Sequence, residues 1–340
     1  MKVIKAAPIY RYHFDDNHLN FIDKLFIQSK YNSSDFYQRM FNEDFVNIFR
    51  STSRQKENIF SIESNDNELI QRLFENIRTR YNTNCIDEIV RELVEEIAQS
   101  LVWFGRAYYF LQDLPEKKKI YIKSFNTNGI FRFFKTYCQW IPKRREEYHN
   151  SNIELLPREI RILDKNKLMC FSMPKSIRQI LSAQNRTLAA LDKHQYDGIQ
   201  FYPKATHENP TPKNDFDFRV WQDTKEQILY RATRDMGWNG RNSDSSKISE
   251  FFVYQRLIRF RRNQLILRNH ILGQLSSEFT RVGRQYNAEF HITILPTNNL
   301  PQVDKLDDLE IRLSREEVSF TEVLDFCYER KTYHKPPSNN

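Results

Sequence analysis

Between residues 15 and 80, apolar positions recur at three-to-four-residue spacings: Phe21, Leu25 and Phe26, then Phe36, Met40 and Phe41. That spacing predicts short helices, with Asn- and Ser-rich breaks at Asn32–Ser34 and Ser64–Asn67. A longer helix is predicted at 85–103, with Asn84 as a plausible N-cap and Asp87 and Glu88 in the first turn, where the helix dipole favours acids. Ile86, Ile89, Val90, Leu93, Val94, Ile97 and Leu101 form one apolar stripe there, and Glu88, Glu92, Glu95 and Glu96 fall mainly on the solvent side. From 102 to 173 the pattern changes. Ala107–Leu111, Ile120–Phe125, Ile130–Trp140, Ile160–Leu163 and Leu168–Phe171 read as strands, punctuated by Pro115, Asn128–Gly129 and Pro157. Strands that follow a helix without βαβ alternation argue for an α+β fold.

Pro174 opens a predicted helix to about 194, lined by Ile177, Ile180, Leu181, Leu188 and Leu191. Tyr196–Phe218, with Pro203, Pro210 and Pro212, breaks the helical pattern. Another helix is predicted at 223–236 and stops at Gly237–Gly240. The longest runs from about Ser246 to Val282, and its apolar stripe is broad enough to require packing on more than one side. A strand is predicted at Glu289–Leu295, then an acidic section with no helix assigned and a tail, Lys335–Asn340, expected to fray. These changes suggest five regions: helical 1–84, wing-like α+β 85–173, stem- and clip-like 174–236, loop, long helix and strand 237–295, and an acidic C-terminal segment 296–340.

Composition narrows the classes of function. Aromatics make up 14% of the chain, which excludes a disordered protein. With only 7 glycines there is little material for a Gly-rich phosphate loop. Cys85, Cys138, Cys170 and Cys327 are far apart and form no CxxC, so they read as reduced thiols. No signal-like or membrane-spanning apolar run occurs, so neither export nor membrane contact is expected. Histidines are scattered, HExxH and GxSxG are missing, and Asp215 and Asp217 lie in a Pro-rich loop. No catalytic residue, metal site or cofactor is assigned.

Charge is uneven. The net is +8 overall, yet 251–290 hold seven basic residues against two acidic, while 300–325 hold three against eight. A basic and an acidic face on one chain suit head-to-tail association as well as nucleic-acid binding. Arg256, Arg259, Arg261 and Arg262, interleaved with Tyr254 and Phe260, are candidates to meet Asp304, Asp307, Asp308 and Glu310, within one chain or across a subunit interface.

The order of elements carries a resemblance. An acidic helix runs into Leu101–Tyr109 (LVWFGRAYY) and then strands. A Pro174-led helix follows, then an excursion and a second helix, Lys225–Gly237 (KEQILYRATRDMG). After a polar loop, Glu250-led sequence opens a long helix, and a strand closes it. Over about 85–295 this resembles the portal proteins of tailed phages, with a short clip and no helical crown. The resemblance implies stem helices at 175–194 and 223–236 lying antiparallel, a clip at 196–220, a tunnel loop at 237–247 and a long helix at 248–282. It implies a homo-oligomeric ring in the virion, assembled in the host cytoplasm. Its implied partners are double-stranded DNA, a packaging motor (terminase) that supplies the ATP chemistry, capsid and head–tail connector proteins. Trp238, Arg241 and Lys247 of the loop would then be the nucleic-acid contacts. For Trp238 the alternative is a ring packed in the core behind a helix stop. A basic nucleic-acid-binding regulator or replication initiator without a ring is the other reading of the charge.

Overall fold

A computed structural model describes residues 1–10, 19–27, 36–49, 58–79, 83, 85–114, 119–143, 156–196, 227–240 and 249–328. The fold is mixed α+β, as the sequence pattern implies, and contains several separate sheets. The chain divides into two compact units. One comprises 1–30, 57–173 and 268–297, and the other 31–56, 174–267 and 298–340.

Among the described residues, the strands all fall in the first unit. Strands β1 (Lys2–Lys5), β8 (Glu159–Leu163), β7 (Thr136–Ile141) and β6 (Ile130–Phe133) form one four-stranded sheet in that order. Strands β3 (Ile77–Arg78), β5 (Lys119–Ser124), β4 (Arg106–Leu114) and β9 (Leu168–Ser172) form another. Strand β2 (Phe60–Ser64) pairs antiparallel with β10 (Ile292–Pro296). Helix α4 (Ile86–Phe104) buries Ile89, Val90, Leu93, Val94, Ile97 and Leu101 of the stripe read from the sequence, joined by Ala98 and Val102, while Ile86 is half-buried. The solvent-side expectation for its glutamates is corrected: Glu92 is buried beside Arg91, and Glu88, Glu95 and Glu96 are half-buried, because β-sheet neighbours cover more of α4 than one stripe. It ends at Gly105, whose φ of 73° places it in the left-handed region that glycine enters without a Cβ penalty. The chain turns there directly into β4. Its N-cap is Cys85, one residue past the expected Asn84.

Side chains of the two four-stranded sheets meet in a cluster of Tyr108, Phe110, Phe125, Leu163 and Leu168. Short helices α1 (Phe21–Phe26) and α3 (Asn67–Phe74) also belong to this unit. Phe74 stacks on Phe279 with ring centroids 4.8 Å apart. Phe21 and Leu25, two of the apolar repeat positions, are 81% and 71% exposed, so the repeat in α1 does not mark a buried face.

One predicted strand is corrected. Ile130–Trp140 is a hairpin, with Phe133 paired to Thr136 and only Phe134 and Lys135 between the strands. Nothing in its sequence announces a turn, because Phe134 occupies the positive-φ position (51°) usually held by Gly or Asn.

In the second unit, helices α2 (Phe36–Val46) and α5 (Lys175–Tyr196) pack together. The helical turns α6 at 227–232 are followed by helix α7 (Glu250–Gly283), 34 residues long, through which the division between the units passes. The expectation of no helix after the last strand is overturned. Helices α8 (Val303–Ser314) and α9 (Phe320–Tyr328) follow β10. Leu306, Leu309 and Leu313 of α8 recur at helical spacing and pack with Ile258, Leu265, Val318, Val323 and Cys327. Acidic residues on the outer face hid that stripe in the sequence. The clip (196–220), and with it the antiparallel connection between the stem helices, lies outside the described residues.

Among the described residues no helix is long and apolar enough to cross a membrane. The four cysteines are unpaired, and only Cys85 is exposed. Burial pushes the thiols of Cys170 and Cys327 up, to about 11 and about 12. A thiolate is the reactive form, so a maleimide at neutral pH should label one thiol in the native protein and four after denaturation. Rapid labelling of Cys327 in the native protein would contradict this packing.

Candidate functional site

The turn that follows α6 is the feature where the sequence concentrates glycine, aromatic and cationic residues. Gly237 closes the helical stretch, its N–H donating to the Thr233 carbonyl at 2.9 Å. Its φ is 80°, and a Cβ built there would lie 2.3 Å from the Arg256 carbonyl oxygen and 2.7 Å from the Phe260 nitrogen. Only glycine lets this turn sit directly on the backbone of α7.

Trp238 follows and is 4% exposed. Its ring meets Phe41 edge-on at 5.5 Å, and its indole N–H donates to the Asp44 carboxylate at 3.0 Å. Phe41, Phe45 and Phe260 complete an aromatic cluster around it. The expectation that Trp238 projects toward nucleic acid is therefore corrected. A large ring with a satisfied N–H gains more from this pocket than from solvent. Arg241 and Lys247 lie outside the described residues.

Arg256 and Arg261, expected on a subunit interface, are also buried, at 4% and 5% exposure. The Arg256 guanidinium donates to Asn239 Oδ1 at 2.8 Å, to the Tyr230 carbonyl at 3.1 Å, to the Thr233 hydroxyl at 2.8 Å and to the Trp238 carbonyl. It also lies 4.0 Å from the Tyr230 ring centroid. Burial lowers its pKa from the ordinary guanidinium range, with Tyr230 opposing the shift. Arg259 donates to the Arg234 carbonyl at 3.3 Å. Arg261 donates to the Ile48 carbonyl and to Gln264 Oε1, while the Gln264 amide reaches the Asp44 and Phe45 carbonyls at 3.1 and 3.0 Å. The basic run on α7 thus closes the carbonyl ends of two other helical segments, where positive charge is favoured. No sequence signal separates that use from binding a polyanion.

Arg262 does meet the acidic segment, within its own chain. It pairs with Asp307 at 2.9 Å, with side chains 43% and 39% exposed. A pair this wet contributes about 0–1 kcal/mol. Asp304 and Asp308 stay exposed, and Glu310 is half-buried.

Thr233 and Asn239 escaped the sequence reading. Thr233 is fully buried, its hydroxyl 2.8 Å from both the Leu229 and Trp238 carbonyl oxygens. Asn239 donates to the Val253 carbonyl at 3.1 Å and so ties the turn to the first turns of α7. The residues that flank 241–248 are therefore fastened on both sides, one by the Gly237–Gly240 turn and the other by α7 itself. This arrangement brings no acid–base pair or nucleophile together among the described residues. Among the described residues no group of three His, Cys, Asp or Glu could hold a metal ion.

No family model and no curated protein matches this chain. Among solved structures, it is similar to a chain of the virion of the native gene transfer agent particle, with a TM-score of 0.39 and 11% identity, covering 84% of this chain and 88% of that one. It is similar to a chain in the neck of that particle, computed with C12 symmetry, with a TM-score of 0.39 and 10% identity, covering 84% and 88%. It is also similar to an HK97 family phage portal protein from Corynebacterium diphtheriae, with a TM-score of 0.34 and 9% identity, covering 79% and 100%. Superpositions this loose establish no family membership. The chain's structural likeness is to a phage portal protein and to chains of gene transfer agent particles.

Proposed function

We propose that this chain is a portal-like ring subunit of a head–tail connector, through which duplex DNA passes. The observation that carries the reading is the order of its elements. An amphipathic helix ends at left-handed Gly105 and enters strands, a Pro174-led helix follows, and then a glycine-anchored turn precedes a 34-residue helix and a returning strand. The order matches the resemblance read from the sequence. The fastened flanks of 241–248 add support, because a segment that touches a passing polymer must be held at its root.

In this reading the chemistry is mechanical. The segment 196–220 would dock a packaging motor, which would supply the ATP chemistry, and the β-rich unit would face the capsid. Arg241 and Lys247 would touch phosphates without reading sequence. The test is direct. Purified protein examined by light scattering and negative-stain microscopy should form a closed ring with a central hole. A stable monomer or dimer at micromolar concentration would end the reading. Within a ring, Arg241→Ala with Lys247→Ala should weaken retention of duplex DNA and flatten its salt dependence.

A further inference from the structure

A cleft of about 670 Å³ opens in the β-rich unit, and Lys5, Lys135, Lys165 and Lys167 line it. Two aspartates also line it, but both have other partners. Asp113 accepts from the Tyr286 hydroxyl at 3.3 Å, and Asp164 accepts from the Asn166 N–H at 3.0 Å in its own turn. None of the four lysines makes an ion pair among the described residues, and four lysines against two aspartates leave the cleft with a net positive charge.

The hairpin turn that supplies Lys135 also carries Phe133 and Phe134, 64% and 85% exposed. Their rings meet edge-on, 4.8 Å apart, and make an apolar knob rather than a flat platform for bases. Phe134 holds φ 51° at the first central position of a two-residue turn, where glycine is favoured. Local folding therefore works against this residue, and its exposed ring needs a reason outside the hairpin.

The complementary surface is on the same sequence. Asp304, Asp308 and Ile311 are exposed at helical spacing along α8, with Ile311 51% exposed, so this line presents two carboxylates and then an apolar side chain, bordered by exposed Lys305. Neither aspartate makes an ion pair among the described residues. Buried Arg256 and Arg261 are spent on carbonyl acceptors, so they do not cover these two aspartates.

We infer that the lysine cleft and Phe133–Phe134 knob of one copy receive the Asp304–Asp308–Ile311 face of α8 from a second copy. Two different surfaces meet in such a contact, so it is head-to-tail and repeats until it closes. The inference rests on the ring reading and names the contact that would build the ring.

The experiment uses the full chain. Lys135→Glu with Lys165→Glu should raise the concentration at half-assembly by about tenfold or more, and Asp304→Lys with Asp308→Lys should do the same. Equimolar mixing of the two variants should regenerate rings of even subunit number, because strict alternation sets opposite charges against each other at every contact, whereas each variant alone sets like against like. Combining all four changes in one chain should restore assembly. Phe134→Gly should weaken assembly while leaving the melting temperature unchanged or raised, the opposite of a role in folding. Carbodiimide cross-linking of mixed light and heavy-isotope chains should join light Lys135 or Lys165 to heavy Asp304 or Asp308. Cross-links only within one isotope, or rings indifferent to both charge reversals, overturn the interface and leave the ring reading standing. A wild-type monomer overturns both.

Discussion

Replacing Gly237 with alanine is expected to destabilise the chain by roughly 3 kcal/mol or more. A non-glycine residue in the left-handed region costs about 1–2 kcal/mol by itself. The new Cβ would also fall 2.3 Å from the Arg256 carbonyl oxygen and 2.7 Å from the Phe260 nitrogen. Both are backbone atoms of α7 and cannot rotate away, so the turn must lift from the helix. Lifting it separates Arg256 from its carbonyl acceptors and opens the aromatic cluster around Trp238. Urea unfolding followed by tryptophan fluorescence measures the loss. Gly240→Ala is the internal control. Its φ is 79°, but the nearest atom to its Cβ, Leu229 Cδ2, is 3.8 Å away. It should show the conformational cost alone. Equal losses at the two positions would mean that close approach to α7 contributes nothing.

Loss of the Asp23 carboxylate should be comparably severe, at about 2–4 kcal/mol for Asp23→Ala. Asp23 is 1% exposed and forms a two-pronged pair with Arg158, at 2.8 Å to Nη2 and 2.9 Å to Nε. The same carboxylate accepts the Trp140 indole N–H at 2.9 Å. Alanine removes one acceptor group from two donors beneath a Phe26–Trp140 stack. Arg158 is 22% exposed, which softens the penalty because water can reach it. The sign of the argument can be checked by adding Arg158→Met. A pair that is costly when half-broken should be less costly when both partners go. If the double variant is as unstable as the sum of the single changes, Asp23 and Arg158 are not coupled.

Long helices were legible because their stripes repeat over many turns. Helix α4 and the Pro174-led helix lie within two residues of their predicted bounds, and the long helix starts about four residues late. Strands β4, β5, β8 and β9 were found from runs of β-branched and aromatic residues between breakers. Strands β1, β2 and β3 were not. Strands β1 and β3, of four and two residues, give alternation no room, and β2 holds only two apolar residues, Phe60 and Ile62, among polar ones; the partners of all three are remote in sequence. The anchoring turn was visible as composition, yet its direction was not. Trp238 beside two glycines fits either a projecting tip or a buried plug, and the choice is made by Phe41 and Asp44, far away in sequence. The basic run on α7 misled for a related reason. Guanidinium groups serve helix-end carbonyls as readily as phosphates, and only the three-dimensional path of α2 and α6 tells which acceptor is present.

The pairing of β2 with β10 has a consequence for the order in which the chain is made. Ser64 pairs with Ile292 and Phe60 with Pro296, so this two-stranded sheet cannot close until the chain has been synthesised through β10. At ordinary translation speeds β2 waits roughly ten to fifty seconds for its partner. Through that interval its main-chain edge is a template for any passing strand. Asp87, in the first turn of α4, lies close behind in sequence and accepts the N–H groups of Asn58 and Phe60 at 2.8 and 3.2 Å. These two bonds tie the start of β2 to α4 through sequence-near contacts that do not wait for β10, while the rest of the edge, Ser61–Ser64, is closed only when β10 arrives.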